Sequence, residues 1–430
     1  MRWTKRRLII LTVLLWAITF GIIVPLMAQK WVFSPFFSNS DDFNARASKF
    51  VDKLNADRYK LTERYLESID SETNKEVHTK HLKTATMVTV IITKRRKKCR
   101  GREFDCEPHY LQQVVAALDE DMKKFALRDS KDNRQSFVPI VICNVDKKSN
   151  EQLDFSLVSE QFPFILRYGN ESQDGVSGII NSRSQESLDY AFCLESILKL
   201  SSPKYLMVLE DDAVAFDGIF EKIFYFLDNR VEHKLLHGSM TTDLKRWGWI
   251  KLYYPELWGG FGFEESKIFE LFWIAVFGAG AFGLLSLALV KPKPHFCFIL
   301  SFSMVGAMFL LALVLIMTRQ TFLEMRRLHS FFYHITPDLG CCTPAVLYST
   351  KWITEIVRYL RSSECDRCHL GVDLALNDFA EMNYLPCFLV EPNLVRHIGM
   401  HSTLTSNKDP RSFLFYDFLY TEISNLIVGL

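Results

Sequence analysis

Three apolar segments limit what this chain can fold into more than any other feature. They cover residues 8–28, 268–290 and 296–317, and charged side chains are almost absent from them. A helix of about 20 apolar residues crosses the hydrocarbon core of a bilayer. Two such segments so close together are rare in the core of a soluble domain. We therefore predict a protein that crosses a membrane three times.

The basic residues predict how these helices are oriented. Residues 1–7 contain four basic side chains, and the positive-inside rule keeps them in the cytosol. The segment 8–28 is too long for the apolar region of a cleaved signal peptide, so we interpret it as a retained anchor. Residues 291–295 (KPKPH) predict a cytosolic turn between two spanning helices. Residues 29–267 and 318–430 then lie on the opposite, lumenal side.

Other sequence features agree with a lumenal location. The ten cysteines fit an oxidising compartment, and Asn170–Ser172 is an N-glycosylation acceptor that would be accessible there. The formal net charge of +1 provides no argument for a nucleic-acid partner. We expect a multi-pass membrane protein that does not bind nucleic acid.

Strand-like and helix-like segments alternate along the first lumenal part. Apolar, β-branched runs at 84–93, 136–145 and 204–210 predict strands, and helical patterns begin at Pro108 and Ser184. This alternation predicts an α/β fold with a doubly wound, mostly parallel sheet. Residues 29–83 precede it and are polar and helical in pattern, which predicts a stalk or an outer helix.

The same alternation resumes after the third apolar segment. Residues 343–350 predict a strand, 352–363 and 372–382 predict helices, and 386–399 predict a strand leading to His397. We therefore expect one α/β domain in two parts, residues 84–267 and 318–430, interrupted by a transmembrane hairpin.

Three consecutive acids, Glu210, Asp211 and Asp212, end the strand at 204–210. Ligands of open α/β sheets gather at the carboxyl ends of strands, and adjacent carboxylates repel one another unless a cation is near. Oxygen ligands suit Mn²⁺ or Mg²⁺. We assign Asp212 to the metal and Glu210 or Asp211 to the nucleoside. His397 is the candidate second metal ligand, with a histidine of the core as the alternative.

This chemistry suggests a nucleotide-sugar glycosyltransferase, because departure of a nucleoside diphosphate needs a cation to neutralise the developing charge. Two other classes stay open. A non-enzymatic membrane receptor could use the acids as a calcium-dependent lectin site. A phosphotransferase could use an acidic metal site, although its nucleophilic Asp should follow the first strand, which here ends in Thr93 and Lys94.

Four motifs resemble one family of enzymes. They are "DYAFCLES" from Asp189, "YLMVLEDDAV" from Tyr205, "CCTPAVLY" from Cys341 and "VEPNLVRHIGMHSTL" from Val390. Together with the inserted hairpin, they resemble the Golgi N-acetylgalactosaminyltransferases of post-GPI-attachment processing. "RHIGMHSTL" is also similar to branching N-acetylglucosaminyltransferases of the IV type, a neighbouring alternative that acts on N-glycans.

The resemblance implies a GT-A fold, UDP-GalNAc as donor, Mn²⁺ as cofactor, and transfer to the first mannose of the glycan on GPI-anchored proteins. It implies that the acidic triplet binds diphosphate and metal, and that Asp189 reaches the nucleoside. Thr93 and Lys94 would contact the uridine through their backbone. Six donor-binding residues are thus expected beside the triplet: Thr93, Lys94, Asp189, Thr343, Pro344 and Val372.

At two of these places the chain departs from the family. The basic run "TKRRKK" stands at the end of the first strand, and Val372 replaces a common lysine.

Transfer from an α-linked donor to a β-linked product inverts the anomeric carbon and needs a base for the acceptor hydroxyl. Asp373, in "HLGVDLAL", is our candidate for that base. The alternative is an acid that only complements the dipole of the helix that it begins.

The cysteines suggest several bridges. Cys143 ends a predicted strand and Cys193 lies in the helix before the next, so they could pair. The family resemblance suggests a vicinal disulfide between Cys341 and Cys342. A Cys99–Cys106 pair would close an inserted loop, while Cys365, Cys368 and Cys387 leave an odd count. "CDRC" has no partner pair, so we predict no zinc site.

Overall fold

The structure is a computed structural model. It describes residues 5–28, 41–96, 108–129, 137–168, 182–232, 247–263, 265–291 and 294–401. They fall into two compact units. The helical unit contains the described parts of residues 1–47 and 255–328, and the α/β unit contains those of 48–254 and 329–413.

The α/β unit is built on one large sheet. The strands of the described chain are β1 Met87–Thr93, β2 Ile140–Asn144, β3 Phe164–Leu166, β4 Tyr205–Glu210, β5 Ala213–Ala215, β6 Trp249–Lys251, β7 His334–Pro337, β8 Ala345–Ser349, β9 Phe388–Glu391 and β10 Val395–His397. Eight of them form the sheet, in the order β3-β2-β1-β4-β8-β6-β9-β7. All run in one direction except β7 and β8, so the predicted mostly parallel sheet is confirmed.

Helices of the α/β unit cover both faces of this sheet. The helices of the two units in the described chain are α1 Lys5–Ile18, α2 Val24–Ala28, α3 Asp41–Glu67, α4 Ser71–His81, α5 Tyr110–Asp129, α6 Leu153–Gln161, α7 Ser182–Leu200, α8 Ile219–Phe226, α9 Glu265–Leu289, α10 Phe296–Met317, α11 Arg319–Met325, α12 Ile353–Arg361 and α13 Val372–Met382. One apolar core contains residues of α5, α6 and α8, and the other contains residues of α7, α12 and α13.

Strand β1 shows why the sequence folds in this way. Met87 and Ile91 enter one core, whereas Val88 and Val90 enter the other. A strand buried on both faces is apolar throughout instead of alternating with polar residues, which is typical of parallel sheets. The register sets Ile92 beside Glu210 of β4 and Thr93 beside Asn144 of β2, so three strands end together.

The prediction of one strand across residues 386–399 is wrong. The chain forms β9, turns at the cis peptide bond between Glu391 and Pro392, and then forms β10. Proline has no backbone N–H for a strand ladder, which favours such a break. Strand β10 leaves the large sheet and pairs with β5, with His397 opposite Ala213. The break therefore brings His397 to the residues that follow β4.

Helix α4 belongs to the α/β unit and is fixed there by a buried histidine. The Nε2 atom of His78 lies 3.0 Å from Asp119 Oδ1 in α5, and its Nδ1 accepts the Ile140 N–H at 3.1 Å. Nδ1 is thus the acceptor, and Nε2 carries the proton that it donates to Asp119. Residues 71–81 therefore form a helix that packs within the α/β unit.

The helical unit holds three helices that are long and apolar enough to cross a membrane, Lys5–Leu26, Glu265–Leu289 and Phe296–Met317. The last two follow β6 and precede β7 in the chain, so they interrupt one sheet. Gly278 and Gly306 face each other so closely that a Cβ on either would overlap the other's backbone. Small residues at such contacts are typical of packed membrane helices.

An ion-pair cluster joins the beginning of α9 to the segment after α10. Glu270 accepts Arg319 Nε at 2.7 Å and Arg326 Nη2 at 3.1 Å. Arg319 is buried. Glu270 is the one charged residue of the apolar segment 268–290. Arg319 and Arg326 compensate its negative charge.

Three disulfides lie in the described chain. Cys143 pairs with Cys193 and joins β2 to α7, and Cys341 pairs with Cys342. Both pairings were expected from the sequence or from the family resemblance. Cys365 pairs with Cys368, which the odd count had left open. Cys387 is then a free thiol. The suggested Cys99–Cys106 pair lies outside the described residues.

Candidate active site

The predicted acids lie at the carboxyl end of β4. Glu210 is the last residue of the strand, and the turn between β4 and β5 carries Asp211 and Asp212, both buried. The Asp212 carbonyl accepts the Ile398 N–H at 2.8 Å, which fastens the turn to the segment after β10. Two buried carboxylates side by side require neighbours that compensate their charge.

Asp211 is held by a relay of hydrogen bonds. Its Oδ2 atom accepts Thr93 Oγ1 at 2.8 Å and the Lys94 N–H at 3.3 Å. Thr93 Oγ1 in turn accepts Gln152 Nε2 at 2.9 Å, and Gln152 Oε1 accepts Asn144 Nδ2 at 3.1 Å. All four side chains are buried, so the relay fixes Asp211 in one orientation.

The guanidinium of Arg96 bridges the two aspartates. Its Nη2 lies 2.7 Å from Asp211 Oδ1, and its Nη1 lies 2.6 Å from Asp212 Oδ2. Burial alone would lower the pKa of Arg96, but the charges of Asp211, Asp212 and Glu210 raise it overall. Burial raises the pKa of Asp211, and the charge of Asp212 adds to this increase against the opposing effect of Arg96.

His397 completes this cluster. Its Nε2 lies 3.2 Å from Asp212 Oδ2, which agrees with a position beside the predicted metal ligand. Gly399, two residues after His397, lies against the Asp212 side chain, so that a Cβ at this position would overlap Asp212 Oδ2. Tyr110 Oη accepts the Met400 N–H at 3.1 Å and holds the segment in place. Burial and the nearby Asp212 raise the pKa of Tyr110 to about 12, so the phenol stays neutral.

These residues fit a divalent cation such as Mn²⁺. Two ligands of one ion at about 2.1 Å each lie about 3 Å apart in octahedral geometry, close to the separation of Asp212 Oδ2 and His397 Nε2. Carboxylate oxygen and imidazole nitrogen are donors that Mn²⁺ accepts. Asp211 Oδ1 contacts the same guanidinium as Asp212 Oδ2, but Asp211, Asp212 and His397 are not among the groups of described residues with metal-ligand spacing, so we assign the ion to Asp212 and His397.

The segment after β7 connects the acids to Asp373. Glu210 donates its backbone N–H to the Pro344 carbonyl at 2.8 Å and accepts Thr343 Oγ1 at 3.4 Å. Cys342 directly precedes Thr343, and its N–H reaches Asp373 Oδ2 at 3.4 Å. Thr343, Pro344 and Asp373 therefore line one edge with Glu210.

A buried lysine fixes the start of that segment. Lys251 is 1% exposed, and its Nζ lies 2.9 Å from the Cys341 carbonyl and 3.0 Å from Asp338 Oδ2. The sulfurs of Cys341 and Cys342 lie near Asp373, in a group with the spacing of metal ligands. They are bonded to each other, so neither is a thiolate that could bind a metal.

Two expected donor residues have other surroundings. Asp189 is buried, contacts Arg167 Nη1 and accepts Gln185 Nε2 at 2.8 Å, and its Oδ2 lies 4.0 Å from Lys94 Nζ. The Asp189 carboxylate is therefore bound by Arg167 and Gln185, and it lies beside Lys94. Val372 is not brought to the acids, because its side chain is buried in the core beneath α13.

Glu186 is a site residue that sequence reasoning missed. It lies one turn before Asp189, so both are on the same face of α7. Arg183, one turn earlier, donates Nη1 to the Leu370 carbonyl at 2.6 Å and ties α7 to the loop before Asp373. Burial raises the pKa of Glu186 to about 6, and the charge of Asp373 contributes to this increase.

The fold and the site define a membrane-associated α/β protein whose buried polar cluster lies at the carboxyl ends of parallel strands. The family model of the GPI-N-acetylgalactosamine transferase PGAP4 matches residues 87–396. The match begins with β1, includes both inserted apolar helices and ends within β10. The chain therefore belongs to this family of glycosyltransferases.

Proposed function

We propose that this protein is a GT-A glycosyltransferase of the Golgi that transfers N-acetylgalactosamine from UDP-GalNAc to the first mannose of the glycan on GPI-anchored proteins. The observation that carries the proposal is the meeting of Asp211, Asp212 and His397 at the end of β4, within a chain of this family. The reaction would be metal-dependent and inverting.

Asp212 and His397 would hold Mn²⁺, with Asp211 beside them. The bound cation would neutralise the negative charge that develops on the departing diphosphate. The chain's own contribution is preorganisation. The relay through Gln152 and Thr93 orients Asp211, and the segment around Gly399 presses against Asp212. Oriented charges cost little reorganisation during the reaction.

The ends of β1 and α7 would bind the nucleoside. Lys94 and Asp189 lie side by side there, and Thr93 belongs to the same strand end. Thr343 and Pro344, in contact with Glu210, would line the sugar. Because Val372 is buried, we assign the donor contacts near α13 to the polar residues beside it.

Asp373 would act as the base. The acceptor hydroxyl oxygen would form a bond to the anomeric carbon while the bond from that carbon to the phosphate oxygen breaks. The hydroxyl proton would pass to Asp373, and UDP would leave with the bonding electrons. Asp373 begins α13, and its Oδ1 accepts the Leu374 N–H at 2.9 Å. The 3.4 Å contact from the Cys342 N–H leaves Oδ2 weakly engaged and available for the proton.

The acceptor explains the need for a membrane enzyme. A GPI glycan is tethered to lipid, so its mannose stays near the bilayer. A chain with three membrane-spanning helices is confined to the same surface, which lowers the entropic cost of encounter. In this proposal, residues 29–267 and 318–430 are lumenal and the turn at 291–295 is cytosolic.

The direct test uses full-length protein in detergent with a GPI-anchored acceptor. UDP-GalNAc, UDP-GlcNAc and UDP-galactose are compared, each with Mn²⁺ or with EDTA. We expect transfer from UDP-GalNAc only, lost in EDTA and in Asp212→Asn. Preferred use of UDP-GlcNAc would instead indicate the branching-transferase alternative. Glycan binding without turnover of any donor would indicate a receptor.

A further inference from the structure

Arg96 occupies the position that a divalent cation would need. A metal held by Asp212 and His397 must contact Asp212 Oδ2, which Arg96 Nη1 already contacts at 2.6 Å. Arg96 Nη2 also contacts Asp211 Oδ1, at 2.7 Å. Thr93 and Lys94 hold the other oxygen of Asp211. The guanidinium and the metal therefore depend on the same atom, Asp212 Oδ2.

Arg96 is also well held in this position. Nη1 donates to the His401 carbonyl at 3.2 Å, and the guanidinium lies 6.0 Å from the centre of the Tyr110 ring. Only 13% of the side chain is exposed. A buried arginine that pairs with two carboxylates compensates their charge when no metal is present.

We propose that Arg96 is a built-in counter-ion of Asp211 and Asp212 that competes with the divalent cation for Asp212. Metal binding must displace the guanidinium, so Arg96 sets the metal affinity of the site. In the metal-free protein the same residue keeps the two buried aspartates folded in place. The inference rests on the proposed function only for the identity of the cation.

The test measures binding of Mn²⁺ alone to full-length protein in detergent, from the electron paramagnetic resonance signal of unbound Mn²⁺. Arg96→Gln removes the charge and should tighten Mn²⁺ binding by about tenfold or more, because a full positive charge beside two ligands is lost. Arg96→Lys keeps the charge but not the bidentate fork, so its affinity should lie between the two.

Arg95→Gln is the matched control. Arg95 is the neighbouring arginine, and its guanidinium pairs with Glu151. We expect this variant to bind Mn²⁺ as the wild type does. Equal affinity in wild type and Arg96→Gln, or weaker binding in Arg96→Gln, would overturn the inference. If neither the wild type nor any variant bound Mn²⁺, the proposed metal dependence would fail together with the inference. Equal binding by all of them would overturn the inference alone, so the two failures are distinguishable.

Thermal unfolding provides a second measurement, since Arg96→Gln leaves two buried carboxylates without their counter-ion. Without divalent cations, Arg96→Gln should unfold at a lower temperature than Arg95→Gln. Saturating Mn²⁺ should raise its midpoint more than that of the wild type, because bound ligand stabilises the folded state. An equal increase in both proteins would contradict the competition. This comparison remains valid even if Arg96→Gln is only marginally stable.

Discussion

Gly399 lies against the carboxylate of Asp212 so closely that no side chain fits between them. The segment that carries Gly399 is fixed on both sides, by the Ile398 N–H bond to the Asp212 carbonyl and by the Met400 N–H bond to Tyr110. Neither partner can move away easily. Glycine is therefore required here for space, at the residue that we assign to the metal.

Gly399→Ala should move Asp212 out of place. A displacement of about 1 Å at a reacting site can reduce turnover by about 100-fold, and we expect a loss of that order with a weakened Mn²⁺ affinity. Radiolabelled GalNAc transfer and Mn²⁺ titration measure both effects. Gly280→Ala is the control, because a Cβ there meets nothing within 4 Å. Normal transfer by Gly399→Ala would show that the position of Asp212 does not matter.

The relay to Asp211 predicts a second effect. Thr93→Val keeps the shape of the side chain but removes the hydroxyl that joins Gln152 to Asp211. The loss of a buried hydrogen bond costs about 1–2 kcal/mol. We expect this cost to appear as a lower kcat and a weaker affinity for Mn²⁺. Initial rates measured over a series of Mn²⁺ concentrations give both quantities.

Thr89→Val is the matched control for this relay. Thr89 lies in the same strand and is fully buried, but its hydroxyl has no hydrogen-bond partner among the described residues. The same substitution should therefore leave turnover unchanged and preserve or increase stability. Similar kinetic losses in both variants would mean that the effect comes from β1 as a whole.

Glu186 predicts a dependence on pH. Its pKa is raised from 4.5 to about 6, so the unfolded chain loses its proton before the folded protein does. Stability from this group is present below about pH 4.5 and is lost as pH rises towards 6, by about 2 kcal/mol in total. Glu186→Gln should therefore unfold at a higher temperature than wild type at pH 7.5, with the difference vanishing near pH 4.5.

The same variant should be less active at neutral pH. Ionised Glu186 adds negative potential to the part of the site where we place removal of the acceptor hydroxyl proton, which favours that step. We expect Glu186→Gln to lower kcat several-fold at pH 7.5 and to remove the activity loss of the wild type below about pH 6. Asp373→Asn should cost on the order of 100-fold or more at every pH. If Asp373→Asn stayed active while Glu186→Gln did not, the role of base would pass to Glu186.

The proposed orientation can be tested by glycosylation in cells. A flexible insert carrying an Asn-Ser-Thr sequon is placed at residue 293, within the turn that we assign to the cytosol. We expect no glycan there, and we expect the same insert directly after Phe263 to be modified. Asn170, which lies outside the described residues, should carry a glycan in both variants. A glycan at residue 293 would reverse the arrangement.

The sequence predicts the long elements of this fold well, because their patterns are local. The β-branched run before Thr93 and the apolar run before Glu210 each become a central strand. Strands β3, β5, β6 and β7 have three or four residues, too few for a recognisable period. The path to His397 was mispredicted because the break at Pro392 is resolved only by the pairing of β5 with β10.

The site was predicted in part for a similar reason. Acids directly after a strand are visible in the sequence, and so is the basic run that contains Arg96. Gln152 and Glu186 carry no local signal. Only tertiary packing brings Gln152 to Thr93 and brings α7, through Arg183, to the loop before Asp373. Val372 was expected to contact the donor but is buried in the core. Its place in the sequence next to Asp373 does not determine the direction of its side chain.

The most direct test of the account is the mass of the GPI glycan. Cells that lack this protein are complemented with wild type or with Asp212→Asn, and the glycan of one GPI-anchored protein is analysed by mass spectrometry with matched expression. The account predicts that wild type restores one N-acetylgalactosamine on the first mannose and that Asp212→Asn restores none. Full restoration by Asp212→Asn, or no added N-acetylhexosamine with wild type, would contradict it.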